Sequence, residues 1–279
     1  MLFMCGDERL HYRRWWVEGA HGVVVIAHGL GEHSGRYRRL ALDLNRAGYS
    51  VYALDHYGHG QSSGKRGHVD EFAHYGDQLQ EFVLLARRDN PAAQIHLLGH
   101  SMGGVIACDC VQRFNSVDSL ILSAPAFRGL QEPGNLVRAL ISVLARPLPR
   151  LTLPNRVDPR WLSRDEAVAE AYRKDELVHN RVSLRWFTDF LRQRDLVIAR
   201  LGQIRVPCLL LLPMSDRLVD SPFTQGLFER IGSAQKWCHV FPGAYHELFN
   251  EACGEPDAVE LLRQHLAALQ PQTEALASV

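Results

Sequence analysis

The sequence lacks a charge excess of either sign and lacks any long uninterrupted apolar run. Its 279 residues include 31 basic and 31 acidic side chains, so the formal net charge is zero. This balance argues against a nucleic-acid partner, because proteins that bind nucleic acids usually present a strong basic excess. No segment reaches the roughly 18 apolar residues of a membrane-spanning helix, and Asp7 and Glu8 come too early for a signal peptide. We therefore expect a cytoplasmic protein.

Cysteine is scarce, and the familiar nucleotide-binding motifs are missing. The six cysteines are irregularly spaced and form no CxxC pair, which argues against a disulfide framework or a zinc site. No GxGxxG and no GxxxxGK(S/T) motif occurs, so the glycine-rich loops that bind dinucleotides and nucleoside triphosphates are not expected. The sequence predicts reduced thiols, no metal and no organic cofactor.

Hydrophobic residues make up 46% of the chain, which is enough for a sizeable core. Short runs rich in Val, Ile and Leu, each with polar or glycine-containing boundaries, indicate strands that are buried on both faces. These runs are Val23–Ala27, Tyr49–Leu54, Ile95–Leu98, Leu120–Leu122, Leu209–Leu212 and Trp237–Phe241. The run Leu10–Val17 alternates more between apolar and polar residues, and it predicts an antiparallel strand at an exposed edge.

Helical patterns separate the predicted strands. They cover Arg36–Ala47, Val69–Arg88, Met102–Phe114, Pro222–Ile231 and Pro256–Leu269. A chain in which strands and helices alternate predicts a mostly parallel central sheet with helices on both faces. The predicted fold class is therefore α/β.

The alternation stops between residues 127 and 196. This segment contains helical patterns broken by several prolines, but no convincing buried strand. We interpret it as a helical cap that is inserted into an α/β core made of residues 1–126 and 197–279.

An apolar stripe over Leu136–Leu148 lies within the predicted cap. It fits a helix that packs on the core, and it also fits an acyl-chain tunnel whose outer face touches membrane lipid. Arg138, Arg146 and Arg150 lie in or next to this stripe, where they could contact anionic headgroups. The sequence thus raises the prospect of a transient contact between the cap and a membrane surface.

The motif Gly99-His100-Ser101-Met102-Gly103 follows an apolar strand and opens a predicted helix. A G-x-S-x-G sequence in this context forms a sharp turn that projects the serine oxygen above the sheet. The N-terminus of the following helix favours negative charge that develops there. We therefore predict that Ser101 is a nucleophile.

A serine nucleophile needs a base to accept its proton and an acid to orient that base. In this strand–turn–helix arrangement the chain order is serine, acid, histidine. Only His246 lies in a loop between the final strand and the final helix, whereas His179 falls in the cap and His239 and His265 fall in regular elements. His246 is the predicted base.

Two aspartates follow the strand Leu209–Leu212, and either could be the acid. Asp216 lies nearer the carboxyl end of the strand, where α/β sheets place their sites, and is preferred. Asp220 is the alternative, and it could instead cap the helix that begins near Pro222.

Acyl transfer also requires donors for the oxyanion of the tetrahedral intermediate. One donor is the backbone N–H of the residue after the nucleophile, here Met102. The other comes from the loop after an early strand, here His28-Gly29-Leu30-Gly31, in which we predict the Leu30 N–H.

These motifs resemble those of monoglyceride lipase-like and lysophospholipase-like serine hydrolases of the α/β-hydrolase superfamily. The matching segments are His28–Tyr37, Asp55–Ser62, Gly99–Gly104, Asp216–Asp220 and Ala244–Glu247. They occur in the order seen in the family, and the first is the most specific. Pro213 departs from the family pattern, which places a glycine shortly before the acid.

The resemblance implies hydrolysis of a carboxylic ester of a lipid, with monoacylglycerol or lysophospholipid as the substrate. It agrees with the assignment of the nucleophile, base, acid and oxyanion donors. It also implies that Glu32, Arg36 and His100 face the alcohol part of the substrate.

Two other functions remain open at this stage. An acyltransferase would share every one of these residues and differ only in the acceptor that replaces water. A non-catalytic binding module is the alternative from another class, although such proteins usually lose one of the three catalytic side chains. A dehalogenase or epoxide hydrolase is disfavoured because it would have an acidic nucleophile in place of Ser101.

Overall fold

The computed structural model describes residues 1–251 and 257–270 and contains one large twisted sheet. Its eight strands are β1 (Leu2–Cys5), β2 (Glu8–Trp15), β3 (Gly22–Ala27), β4 (Tyr49–Leu54), β5 (Gln94–His100), β6 (Ser119–Ser123), β9 (Cys208–Pro213) and β10 (Lys236–Phe241). Their spatial order is β1-β2-β4-β3-β5-β6-β9-β10. The pairs β1·β2 and β2·β4 are antiparallel, and the other five pairs are parallel.

Eight helices accompany the strands in the described residues. They are α1 (Arg38–Arg46), α2 (His74–Asp89), α3 (Met102–Phe114), α4 (Asn135–Leu144), α5 (Glu166–Lys174), α6 (Leu184–Ala199), α7 (Ser221–Gly226) and α8 (Ala258–Ala268). Short 3₁₀ helices occur at Ser34–Tyr37, Pro159–Trp161, Leu201–Gln203, Phe228–Arg230 and Leu248–Asn250. None of the described helices combines the length and the apolar character that crossing a membrane requires.

The sheet separates two hydrophobic cores because successive side chains of a strand point to opposite faces. In β3, Val23 and Val25 join the core under α2, α3 and α6, whereas Val24 and Ile26 join the core under α1 and α8. All six residues of β3 are buried. A strand covered on both faces has no polar side to show, which explains its continuous apolar run.

The strand order reverses direction at the neighbouring pair β3 and β5. The chain moves from β3 outward to β4, and then returns to place β5 on the other side of β3. Loops that leave the carboxyl ends of two such strands diverge and open a crevice between them. The loop after β3 and the turn after β5 therefore border the same crevice.

Between β6 and β9 the chain leaves the large sheet. This stretch contains α4, α5, α6 and a small antiparallel pair, β7 (Thr152–Pro154) and β8 (Arg181–Ser183). No strand among the described residues between β6 and β9 belongs to the large sheet. The two short strands are a feature that the sequence did not predict, since three-residue strands produce no recognisable periodicity. The boundaries of the predicted cap, 127–196, remain a prediction.

The structure corrects several element boundaries. The strand expected at the sheet edge, Leu10–Val17, is β2, but β1 covers it and is itself the edge. The helix expected from Val69 begins at His74 after an irregular turn. The helix expected from Arg36 begins at Arg38 because a 3₁₀ turn precedes it.

Two further helix boundaries concern the C-terminal part of the chain. The pattern over Pro222–Ile231 divides into α7 and a 3₁₀ turn. In the last predicted helix, Pro256 lies outside the described residues, and α8 begins at Ala258 with Asp257 as its N-cap.

Candidate active site

Ser101 lies at the turn between β5 and α3 in a backbone conformation that L-residues rarely adopt. Its φ is 54° and its ψ is −118°. The turn is fixed on both sides, because the Ser101 N–H donates to the Ser123 carbonyl at 3.0 Å and the Ser101 carbonyl accepts from the Ala126 N–H at 3.0 Å. Such strain persists only where the surroundings enforce it, and it is concentrated at functional sites. The structure therefore places Ser101 in the strand–turn–helix context that the sequence predicted.

Gly103 allows α3 to pass directly against β3. A Cβ atom at Gly103 would lie 2.0 Å from the carbonyl oxygen of Ala27. This distance is far below van der Waals contact, and the obstructing atom belongs to the backbone of a central strand. Any larger side chain would therefore displace the turn that presents Ser101.

His246 and Asp216 form a buried pair across two loops. Nδ1 of His246 lies 2.7 Å from Oδ2 of Asp216, and the two side chains are only 4% and 1% exposed. We assign the proton to Nδ1, because a carboxylate can only accept. Nε2 on the opposite edge of the ring then has a free lone pair, which is the state required of a base.

The loop after β9 fixes the carboxylate of Asp216. Oδ1 accepts the N–H groups of Leu218 at 2.7 Å and Val219 at 3.1 Å, which leaves Oδ2 for His246. Asp220, the alternative acid, instead caps α7 through the Phe223 N–H at 2.8 Å and pairs with Arg128. The structure thus brings Asp216, and not Asp220, to the histidine.

Ser101 and His246 line the same cavity, although they are not hydrogen-bonded to each other. Within the described chain, the only side-chain hydrogen bond of His246 is the one with Asp216. Of the described histidines, only His100 and His246 line this cavity. Catalytic hydrogen bonds are often long without substrate and shorten in the complex, so this geometry is compatible with a serine–histidine pair.

The loop after β3 approaches Ser101 and is attached to the segment between β6 and β9. Gly31 has a φ of +80°, and a Cβ there would lie 2.4 Å from the carbonyl oxygen of His179. The His179 N–H donates to the Gly31 carbonyl at 2.9 Å. Neither the Leu30 N–H nor the Met102 N–H donates to a protein acceptor within the described residues. Both predicted oxyanion donors are therefore free to bind another group.

A cavity of about 400 Å³ opens above Ser101, a volume within the usual range for small-molecule sites. Most of its wall is apolar and comes from the segment between β6 and β9. These lining side chains include Val137, Ile141, Leu162, Trp186, Phe187, Phe190 and Leu191. Charged and polar side chains from the core elements line the cavity together with Ser101, namely Glu32, Arg36, His100, His246 and Glu247. The cavity therefore has an apolar wall and a polar end.

Glu32, Arg36 and His100, which the resemblance assigns to the alcohol part of the substrate, all line the cavity at its polar end. The structure adds a partner that the sequence did not identify, since Arg36 forms a two-fold hydrogen bond with Glu247 at 2.5 and 2.9 Å. Arg36 also donates to Glu32 at 3.1 Å. Glu247 directly follows the predicted base, and this adjacency is the one signal in the sequence that pointed to it.

Burial and neighbouring charges shift the pKa values of these groups in opposite directions. Burial lowers the pKa of His246, but the carboxylates of Asp216, Glu247 and Glu32 outweigh burial and raise it above its usual value. Burial, with a smaller contribution from nearby His246, lowers the pKa of His100 to about 4. The pKa values of these two neighbouring imidazoles therefore shift in opposite directions, that of His246 upward and that of His100 downward.

Glu32 remains ionised despite its burial. Burial raises its pKa, but Arg36 and hydrogen bonding to the Gly29 N–H lower the pKa to about 2.

Within residues 1–251 and 257–270, no three His, Cys, Asp or Glu side chains are placed to hold a metal ion.

The other histidines weighed as bases lie elsewhere. His179 packs against His59 with ring centroids 4.6 Å apart. His239 belongs to β10, and His265 on α8 contacts Trp237 with centroids 4.9 Å apart.

Residues 18–253 match the family described as Serine aminopeptidase, S33 (Hydrolase_4). This match covers most of the chain and includes every residue of the site described above. The chain belongs to this family of α/β-hydrolases.

Individual relatives agree with the family match. The α/β-hydrolase is 33% identical over 249 residues to a monoacylglycerol lipase from Mycolicibacterium smegmatis, covering 88% of this chain and 89% of the relative. It is 34% identical over 245 residues to phospholipase YtpA from Bacillus subtilis, covering 85% and 92%.

A solved structure gives the same result. The crystal structure of a monoacylglycerol lipase from Paleococcus ferrophilus superposes with a TM-score of 0.84 at 31% identity, covering 93% of this chain and 99% of that one. The fold class and the family predicted from the sequence are thus confirmed, and the α/β-hydrolase is a carboxylic ester hydrolase.

Proposed function

We propose that this α/β-hydrolase is a monoacylglycerol lipase that acts through Ser101, His246 and Asp216. The observation that supports the proposal most directly is the buried contact of 2.7 Å between His246 and Asp216, beside a serine held in a strained turn. This arrangement supplies the nucleophile, the base and the acid that orients the base.

The mechanism follows from these positions. Oγ of Ser101 attacks the ester carbonyl carbon while Nε2 of His246 accepts the hydroxyl proton. The backbone N–H groups of Leu30 and Met102 donate to the oxyanion of the tetrahedral intermediate. The C–O bond to the alcohol then breaks, and His246 returns the proton to the leaving oxygen. Water, activated by the same imidazole, hydrolyses the acyl-enzyme.

In this mechanism Asp216 contributes without taking up a proton itself. Its Oδ2 keeps the His246 proton on Nδ1, so that Nε2 faces the reaction. Its negative charge also stabilises the imidazolium that forms during each half-reaction.

The shape and polarity of the cavity support a lipid substrate. An apolar chain would lie against the side chains from α4 and α6, and the alcohol part would lie at the polar end near Glu32, Arg36 and His100. The names of the relatives from Mycolicibacterium smegmatis and Paleococcus ferrophilus favour monoacylglycerol. The relative from Bacillus subtilis, a phospholipase, makes lysophospholipid the second candidate.

The cap completes the proposal. We assign residues 127–196 to a cap over an α/β core made of residues 1–126 and 197–279. Apolar side chains of α4 and its surroundings are exposed, including Leu136 at 88% and Val143 at 64%. An apolar face flanked by arginines suits a transient contact with a lipid surface.

The free thiols of the described cysteines suit a reducing compartment such as the cytoplasm.

A hydrolysis panel tests the proposed function. Long-chain monoacylglycerol, lysophospholipid and a short synthetic ester are compared, each with and without added alcohol as an acceptor. We expect the highest kcat/KM with monoacylglycerol, release of free fatty acid, and complete loss of activity in Ser101→Ala. Turnover restricted to short esters would contradict the substrate, and transfer to alcohol in preference to water would indicate an acyltransferase.

A fluorophosphonate probe separates an enzyme from a binding module. We expect the probe to label the wild-type protein and to leave Ser101→Ala unlabelled. An unlabelled wild-type protein that is folded would contradict the enzymatic mechanism itself.

A further inference from the structure

A buried ion pair joins the two loops on which the proposed mechanism depends. Arg36 lies in the 3₁₀ turn directly after the oxyanion loop, defined here as residues 28–33, and Glu247 directly follows His246. Nη1 and Nη2 of Arg36 contact the two carboxylate oxygens of Glu247 at 2.5 and 2.9 Å. The two residues are 211 positions apart in the sequence, so this contact is specified only by the fold.

Glu32 extends the ion pair to the backbone of the oxyanion loop. Its Oε2 accepts from Arg36 at 3.1 Å, and its Oε1 accepts the Gly29 N–H at 2.6 Å and the Tyr37 hydroxyl at 2.8 Å. The peptide of Gly29 immediately precedes Leu30, whose N–H is the proposed oxyanion donor. A continuous chain of hydrogen bonds therefore runs from Glu247 to the peptide next to that donor.

The segment between β6 and β9 closes over this chain of contacts. The ring of Tyr172 on α5 lies 4.8 Å from the Arg36 guanidinium carbon, and the Glu247 N–H donates to the Leu162 carbonyl at 2.7 Å. The Arg36 and Glu247 side chains are only 10% and 6% exposed. Water therefore screens the pair poorly. Removing Arg36 would leave two buried carboxylates without a counter-charge, whereas removing Glu247 would leave Arg36 paired with Glu32 alone.

We propose that Arg36 and Glu247 are positioning residues, whose ion pair, linked through Glu32, aligns the oxyanion loop with the His246 loop. This inference rests on the proposed function, because it assigns these residues a role in the geometry of the same site. This positioning role differs from a role in binding the alcohol part of the substrate, because Nη1 and Nη2 of Arg36 already donate to carboxylates. An oxyanion donor displaced by a fraction of an ångström loses much of its effect, which is why alignment matters.

The charges of the cluster have a second consequence for His246. Two carboxylates share one guanidinium, so Glu32, Glu247 and Arg36 together contribute one net negative charge near the imidazole. The carboxylate of Asp216 contacts Nδ1 of the ring, and His100 packs against His246 in its neutral form, with the ring centroids 4.7 Å apart. Removing the charge of Glu247 would thus lower the pKa of His246, a change that a purely structural role would not produce.

The test compares Glu247→Gln and Arg36→Lys on two substrates, a long-chain monoacylglycerol and p-nitrophenyl acetate. The glutamine retains the shape of Glu247 without its charge, and the lysine retains the charge of Arg36 without its fork. We expect kcat to fall roughly tenfold to a hundredfold on both substrates, with KM changed much less. The acid limb of kcat/KM should also move to lower pH in Glu247→Gln.

Controls separate this result from unfolding and from failure of the proposed function. Arg128→Lys alters another arginine–carboxylate pair, with Asp220, and should keep wild-type kcat. The double variant of Arg36 and Glu247 should lose no more activity than the worse single variant, because one pair is broken once. If Glu247→Gln does not fold, Arg36→Lys alone tests the inference. The rate at which fluorophosphonate labels the folded Arg36→Lys variant should then be lower than the rate for the wild type.

Two outcomes would overturn the inference. Loss of activity on monoacylglycerol alone, with p-nitrophenyl acetate unaffected, would show that these residues contact the glycerol. Unchanged kcat on both substrates would show that the pair aligns nothing. If instead Ser101→Ala retains hydrolysis, the proposed function fails, and that failure is visible without any change at Arg36 or Glu247.

Discussion

Nδ1 of His246 lies 2.7 Å from Oδ2 of Asp216, and the other oxygen of that carboxylate is held by two backbone N–H groups of its own loop. The carboxylate of Asp216 is therefore a fixed acceptor. The imidazole of His246 that bonds to it is buried, with only 4% of its side chain exposed. In the proposed mechanism, this preorganisation allows His246 to act as the base.

We expect Asp216→Asn to reduce kcat roughly ten-thousandfold, because the amide would favour the wrong tautomer of His246. The matched control is Asp220→Asn, in which the new side chain can still cap α7 through the Phe223 N–H. Activity on p-nitrophenyl acetate measures both variants. Comparable losses in the two variants would show that Asp216 has no special role.

The pH dependence of kcat/KM should have a single acid limb, with its midpoint above 6.5, the usual pKa of histidine. Below this midpoint His246 is protonated and cannot accept the serine proton, so activity falls as pH falls. His100 should add no second step above pH 5, because its pKa is about 4. A pH–rate profile from pH 4.5 to 9 measures this, and His100→Asn should leave the midpoint close to that of the wild type. Two resolved steps in that range would contradict the assignment.

Folding stability should decrease as pH falls from 6.5 towards 4. Burial lowers the pKa values of His96 and His179 to about 4. Since their folded pKa values lie below the value of free histidine, the unfolded chain binds more protons in this interval. Each such histidine costs about 1.4 kcal/mol of unfolding free energy per pH unit.

Urea denaturation at pH 7.5 and pH 5.0 measures this loss of stability. The same pair of measurements on His96→Asn should give a smaller difference between the two pH values. An unfolding midpoint that does not change with pH would contradict the prediction.

Gly103→Ala should destabilise the fold by at least about 3 kcal/mol, since the new Cβ would collide with a backbone carbonyl of β3. The control is Gly226→Ala, where an added Cβ meets nothing within 4 Å. Thermal unfolding followed by circular dichroism compares the two variants. Equal melting temperatures would mean that α3 can move away from β3 without cost.

The exposed side chains of α4 should govern binding to lipid surfaces. We expect the double variant Leu136→Ser and Val143→Ser to bind vesicles containing anionic lipid several-fold more weakly, because it removes exposed apolar area. Its kcat on p-nitrophenyl acetate should be unchanged.

The control for the α4 variant is Leu84→Ser, which changes an exposed leucine on α2. Co-sedimentation with vesicles measures binding. An equal decrease in the control, or none in the double variant, would contradict a role for the cap surface.

The sequence predicted the five central parallel strands, β3, β4, β5, β6 and β9, well because each is an apolar run bounded by polar residues or glycine. It did not predict β1, whose four residues alternate between exposed and half-buried and pack on one side only. It also did not predict β7 and β8, because their pairing depends on a contact between residues about 30 positions apart. Short strands of this kind are defined by their partner rather than by their own residues.

The sequence by itself determined the fold class, through alternating strand and helix patterns, and the family, through five motifs that resemble those of known members. It also predicted Ser101 as the nucleophile, because a strand, a sharp turn and a helix are encoded in consecutive residues. Only the tertiary structure decided between Asp216 and Asp220, and only it joined Arg36 to Glu247. The physical reason is that a side chain's partner across the sheet depends on how loops from distant strands converge. That convergence is a property of packing, and no local pattern of residues records it.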